Sequence, residues 1–160
     1  MKYLLLILVT FCTASFAHSQ QVRLITISNL NKRISNGKDT TYIINFWATW
    51  CVPCIKELDS FEKLNKAYKN EKIKVLLVSV DFKSKLNNTL ADFVKKRNLK
   101  SEVFLLDEKN EQEYINRIDT SWSGAIPATL FIKNNNRKFF EKEFTYDELA
   151  KEYQSIKSRE

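Results

Sequence analysis

Cys51 and Cys54 stand three positions apart in Trp50-Cys-Val-Pro-Cys54, directly after an apolar run and at the start of a helical pattern. Two thiols so spaced in the first turn of a helix sit close enough to bond. The exposed N-terminal end of a helix carries about half a positive elementary charge from its backbone dipole. That field favours a thiolate, the reactive form of cysteine. Cys51 is therefore the candidate nucleophile. Cys54, one turn deeper, is the thiol that resolves whatever Cys51 attacks. Pro53 suits a helix start, where its missing N–H would have no partner anyway.

The remaining cysteine count favours redox chemistry over structure. The chain holds three cysteines, and the third, Cys12, falls in an N-terminal apolar segment. A Cys51–Cys54 bridge closes a loop too short to restrain much of the unfolded chain. A zinc site needs two further ligands, and the only histidine is His18 near the N-terminus. We expect no metal and no organic cofactor, only a redox-active Cys51–Cys54 disulfide.

Glu57 lies on the same helix stripe as Cys54 and Phe61, which otherwise faces inward. A carboxylate there is partly desolvated, which raises its pKa toward the range useful for proton exchange with a thiol. The plainer alternative is a helix-edge glutamate reaching water, paired with Lys56 or Lys63.

The elements that must position these residues follow from periodicity. Val22–Ile27 alternates as an edge strand, and Leu30–Ile34 suggests a short helix before the turn at Ser35–Asp39. Thr41–Trp47 is nearly all apolar, as for a strand covered on both faces. Helical spacing of Cys54, Leu58, Phe61, Leu64 and Tyr68 predicts a helix from Val52 to about Lys69. Ile73–Val80 is a second central strand, with Asp81 at its carboxyl end. Leu86–Arg97 is an amphipathic helix stopped at Asn98, followed by a strand at Val103–Leu106 and a helix at Gln112–Ile118. Ala128–Ile132 and Lys138–Phe144 form a hairpin across Asn134–Asn136, and Asp147–Ser158 is a closing helix. Alternating strands and helices imply a parallel centre, and the hairpin adds antiparallel strands. The fold class is α/β, a mixed sheet with helices on both faces, in one domain of residues 18–160.

Residues 1–17 read as a secretory signal peptide: a basic Lys2, the apolar run Tyr3–Phe11 and a small-residue site ending at Ala17. The run is too short for a comfortable transmembrane helix, which needs about 20 residues. Export to the periplasm follows, with an uncleaved anchor or a lipidated Cys12 as alternatives. The net charge of +7 is spread over helices and loops. Its densest patches, Lys95–Lys100 and Lys133–Lys138, lack the interleaved aromatics of a nucleic-acid surface, so no nucleic-acid partner is expected.

Asn45-Phe-Trp-Ala-Thr-Trp-Cys51 with Glu57, and Gly124-Ala-Ile-Pro127-Ala-Thr129, resemble the thioredoxin superfamily and within it the TlpA/ResA-like exported thiol–disulfide oxidoreductases. The resemblance runs through the order of elements from Val22 to Glu160, and is motif-specific at 45–57 and 124–132. It implies a thioredoxin-like fold with an extra helix–strand insertion near Ser84–Leu106. It implies a cis peptide bond at Pro127 beside the disulfide, with the Ile126 backbone pairing to an extended substrate. Glu57 would tune the cysteines. Each tryptophan is first a packing residue, Trp47 as core, with Trp50 beside the nucleophile and Trp122 just ahead of Gly124 as alternative walls of the substrate groove. A membrane-embedded electron donor is implied as partner. Two departures stand out. Asn45 replaces the proton-accepting aspartate of thioredoxins, and Asp59 replaces a helix-kinking proline.

The expected function is thus a periplasmic thiol–disulfide oxidoreductase, acting as a reductase on substrate proteins bearing disulfides. Alternatives are a net oxidase, a non-turnover peptide-binding or cytochrome c assembly factor, and, least favoured by the ligands present, a metal carrier.

Overall fold

The computed structural model describes residues 21–158. The leader expectation, with Cys12, Ala17 and His18, falls outside the described residues. Six strands make one sheet: β1 (Arg23–Ile25), β2 (Thr41–Trp47), β3 (Ile73–Ser79), β4 (Glu102–Leu106), β5 (Ala128–Lys133) and β6 (Asn136–Phe140). Their order is β1-β4-β3-β2-β5-β6. The first four run parallel, β5 pairs antiparallel with β2, and β6 pairs antiparallel with β5. All seven residues of β2 are buried, as a central strand covered on both faces requires.

The helices are α1 (Ile27–Asn36), α2 (Val52–Ala67), α3 (Ala91–Arg97), α4 (Glu111–Ile118) and α5 (Tyr146–Lys157). Successive β2 side chains point to opposite faces. Ile43 and Trp47 join Cys54, Leu58, Phe61 and Leu64 of α2 and Leu149, Tyr153 and Ile156 of α5. Ile44 and Phe46 join Ile27 and Leu30 of α1 and Ile115 and Ile118 of α4. The expected layering is present. The segment 84–106 contributes a helix and β4, which slots between β1 and β3.

Local chemistry moves several boundaries. Thr26 accepts the Asn29 N–H through its hydroxyl at 3.2 Å, a cap that ends β1 at Ile25 and starts α1 three residues before the expected Leu30. The stretch expected as one helix from Leu86 begins as a 3-10 turn at Lys83–Lys85 and a π turn at Leu86–Leu90. Asn98 closes α3 in the left-handed conformation, φ 54°. With Asp59 in place of a proline, α2 runs unbroken, and Asp59 lies 3.7 Å from the Arg97 guanidinium.

The hairpin partner expected at Lys138–Phe144 lies instead at Asn136–Phe140. Asn134 takes φ 52°, so the turn closes one residue earlier than Asn136. The residues after Phe140 thereby leave the sheet and bring the Phe144 backbone over α2.

Candidate active site: the Cys51–Cys54 turn

The turn between β2 and α2 is fastened to the neighbouring strand. Val80 N–H donates to Trp47 O at 2.8 Å. Beyond it, the Asp81 carboxylate accepts from Thr49 N–H at 2.9 Å, Thr49 Oγ1 at 2.7 Å and Ser79 Oγ at 2.7 Å. Cys51 N–H then donates to Ala48 O at 3.1 Å, tightening the chain into α2. Sequence reasoning noted Asp81 only as a strand end and passed over Thr49. An acidic residue directly after a central apolar strand, level with a threonine in the neighbouring loop, was the available signal.

Cys51 is the N-cap of α2, and its Sγ accepts from Cys54 N–H at 3.3 Å; Pro53 occupies the first turn. The two cysteines are joined as a disulfide, with Cα atoms 5.3 Å apart. Cys51 keeps 5 % exposure and Cys54 none, so a partner can approach only the first sulfur. The Ile126 carbonyl lies 3.8 Å from Cys51 Sγ, and the Ile126–Pro127 bond is cis. Gly124 leads into this loop at φ 95°, a conformation that side-chain-bearing residues rarely adopt. The chain thus sets Cys51, Ile126 and Pro127 side by side, as the resemblance implied.

Large apolar side chains are exposed on the two segments joined by the Thr49–Asp81 fastening. Trp50 is 64 % exposed, Val52 75 % and Phe82 78 %. Thr49 and Asp81 are bonded to each other, so Trp50 and Phe82 are the next residues to leave one shared clamp. Phe82 was missed from the sequence, because a lone aromatic after a strand carries no signal of exposure. Trp47 is core, packed on Phe93 at 5.3 Å between ring centroids. Trp122 packs, as expected first of each tryptophan, and does not wall the groove. It is buried against Phe46 and Phe139, and its indole N–H donates to Ala125 O at 2.7 Å. Its apolar bulk outweighs any gain from exposure. Two cavities of about 670 Å³ each lie elsewhere, one lined by Lys63, Lys66 and Ile73, the other by Asn31, Gly37 and Arg137.

Glu57 is buried on α2, three residues along the helix from Cys54. Its Oε1 accepts from Asn45 Nδ2 at 2.7 Å, and its Oε2 from Phe144 N–H at 2.7 Å. Neither Lys56 nor Lys63 pairs with it. Lys56 Nζ reaches Glu143 at 2.8 Å, and Lys63 Nζ sits over the Tyr146 ring. Burial pushes the Glu57 carboxyl up from 4.5 to about 7, the two donated hydrogen bonds only partly opposing it. Among the described residues, no group of three or more His, Cys, Asp or Glu side chains is placed to hold a metal ion, and no helix is long and apolar enough to cross a membrane.

The model of the AhpC/TSA family matches residues 16–137. Among curated relatives, the chain is 34% identical over 86 residues to sporulation thiol-disulfide oxidoreductase A of Bacillus subtilis, covering 54% of this chain and 51% of that protein. It is 25% identical over 127 residues to thiol-disulfide oxidoreductase ResA of Geobacillus kaustophilus, covering 78% and 68%. The match to the first of these spans about half its length. Among solved structures, a thioredoxin-related protein from Neisseria meningitidis serogroup B superposes with a TM-score of 0.67 at 22% identity, covering 76% of this chain and 88% of that one. That likeness carries the fold. The family match runs unbroken through the two central strands, the Cys51–Cys54 turn and the Pro127 loop, and by it this chain belongs to the AhpC/TSA family, on a thioredoxin-like fold.

Proposed function

We propose that the protein is a thiol–disulfide oxidoreductase that reduces disulfides of partner proteins outside the cytoplasm. One observation carries this: a dithiol pair at a helix N-terminus with one sulfur reachable and the other sealed beneath it. Relatives named as thiol-disulfide oxidoreductases support it. In the reduced enzyme, Cys51 thiolate attacks one sulfur of the substrate disulfide, and the other sulfur leaves as a thiolate. A mixed disulfide remains. Glu57 carboxylate takes the Cys54 thiol proton, and the Cys54 thiolate attacks Cys51 Sγ. The second substrate thiolate leaves, and the enzyme ends as the Cys51–Cys54 disulfide.

Trp50, Pro53, Ile126 and Pro127 form the substrate side of the site, with the Ile126 backbone receiving an extended segment. No metal or organic cofactor takes part. The leader pattern at 1–17 supports export to the periplasm. An oxidising compartment then requires a partner that re-reduces the enzyme, and a membrane-embedded electron donor fits that need.

The test is reduction of insulin disulfides by wild type and Cys51→Ser. Wild type should turn over with a thiol donor present, and the variant should fall to the uncatalysed rate. Binding of insulin without cysteine-dependent turnover would favour the peptide-binding alternative. Poise decides direction: equilibration against glutathione should place the pair on the reducing side of that couple, and an oxidising value would make the protein an oxidase.

Phe82 belongs to the apolar surface that a protein substrate must cover. Serine there should lower kcat/KM for insulin about tenfold, the worth of about 1–2 kcal/mol of apolar contact. Turnover of cystine, which has no apolar surface to lay on Phe82, should not change. Equal losses on both substrates would count against a docking role.

A further inference from the structure

Asn45 is fully buried in the middle of β2. Its Nδ2 donates to Glu57 Oε1 at 2.7 Å, to Thr129 Oγ1 at 3.2 Å and, more distantly, to Ala128 O at 3.5 Å. Its Oδ1 is buried without a hydrogen-bond partner. A buried acceptor left unmade is unfavourable, and three contacts on one end of the amide with none on the other is an uneven use of the group.

The asymmetry has a chemical source in Glu57. Its Oε2 faces Phe144 N–H at 2.7 Å, a main-chain donor that cannot turn round. A proton added to Glu57 must therefore sit on Oε1, which faces Asn45. With the amide as it stands, that proton would meet the N–H of Nδ2, donor against donor. A half-turn of the amide about its last torsion exchanges Nδ2 and Oδ1. The unpartnered Oδ1 then accepts the carboxylic acid proton. The Thr129 hydroxyl can both donate and accept, so its bond to Asn45 can reverse with the turn, and only the long contact to the Ala128 carbonyl, which accepts alone, is given up. The charged neighbours are Glu143, beside Phe144 on the segment over α2, and Lys56 on α2, which pair with each other at 2.8 Å. Neither reaches Oε1.

We propose that Asn45 is a positioning residue for the Glu57 proton: its amide presents Nδ2 to the carboxylate and turns to present Oδ1 to the carboxylic acid. One uncharged side chain then serves both protonation states between which Glu57 moves during resolution of the mixed disulfide. The proposal rests on the proton-exchange role given to Glu57 above. It also gives the departure at residue 45 a function, since an aspartate cannot offer a donor while ionised and leucine offers neither group.

The experiment is nuclear magnetic resonance of the wild-type protein, following the Asn45 side-chain NH2 and the Glu57 carboxyl carbon from pH 5 to pH 9. The NH2 signals should shift with the Glu57 midpoint, near 7, and their contacts to Thr129 should change over the same range. Signals that stay fixed while Glu57 titrates would overturn the proposal. A second measurement uses Asn45→Leu. An amide that serves both states equally predicts a Glu57 midpoint displaced by less than about half a unit. An upward shift of about one unit, a tenfold change in the proton equilibrium, would mean that the amide serves only the carboxylate, and would also overturn it. The ionisation of the Cys54 thiol, followed by its Cβ resonance in the Cys51→Ser background with and without Glu57→Gln, separates the two roles. If that titration ignores Glu57 while the Asn45 amide still turns with it, the proton-exchange role fails and the amide switch stands.

Discussion

Cys54→Ser, reduced and mixed with a disulfide-bearing protein, is expected to stop as a covalent adduct through Cys51. The structure divides the two sulfurs between two tasks. Cys51 is the only one a partner can reach, and Cys54 is sealed beneath it within bonding distance. The first exchange needs the outer sulfur alone, so serine at 54 leaves it intact. The second needs an attacking thiolate at the inner position, and a serine hydroxyl is not nucleophilic enough to displace a disulfide. The adduct should therefore persist, appear on a non-reducing gel as a band of the summed masses, and vanish with dithiothreitol. Insulin turnover should fall to background. Serine fits the space that Cys54 fills, so loss of the fold is not a competing outcome. If no adduct forms, or if turnover survives, Cys54 is not the resolving thiol. Applied in the native host, the same variant captures the natural partner.

How much of this site could be read in the chain beforehand follows from how local each feature is. Cys51, Cys54 and Pro53 act through helix-start geometry, which a span of four residues specifies, and they lie where expected. Glu57 was legible as an inward-facing acid because helical spacing places it on the stripe of Cys54 and Phe61. What held it was not legible. Its second partner is the Phe144 N–H, 87 positions away, delivered by a hairpin that closes early. A main-chain group carries no residue-type signal at all. The Asp81–Thr49 fastening was hidden for the same reason, since it depends on β2 and β3 pairing in register, Trp47 against Ser79. Trp122 shows the converse case, where the packing reading holds and the groove alternative fails. Proximity in sequence to Gly124 suggested the groove, whereas the aromatic cluster of Phe46, Tyr114 and Phe139 on the far face of the sheet took it.

Replacing Glu57 with Gln is expected to change both stability and catalysis, each with its own pH signature. The folded carboxyl titrates at about 7 against 4.5 ordinarily, because burial penalises its charge. Between those values the folded protein holds a proton that the unfolded chain has released. The contribution of the residue to stability is thus complete below about pH 4.5 and lost as pH rises through about 7. A raise of about 2.5 units, the difference between the two values, corresponds to about 3 kcal/mol. Glutamine does not titrate. The stability of the variant minus that of wild type should accordingly rise by about 3 kcal/mol from pH 4 to pH 8 and level off above. Taking the difference cancels Glu71 and Glu148, whose carboxyls are held low by Lys157 and Lys142 and so bias stability in the opposite sense. Urea unfolding of both proteins across that range measures it, and parallel curves would remove the raised carboxyl. Catalysis should move separately. Without a base for the Cys54 proton, resolution of the mixed disulfide should slow about a hundredfold at neutral pH, the lower end for a positioned general base. The deficit should shrink as pH approaches the ionisation of the thiol itself. A uniform loss at every pH would make Glu57 a packing residue whose charge plays no part in the exchange.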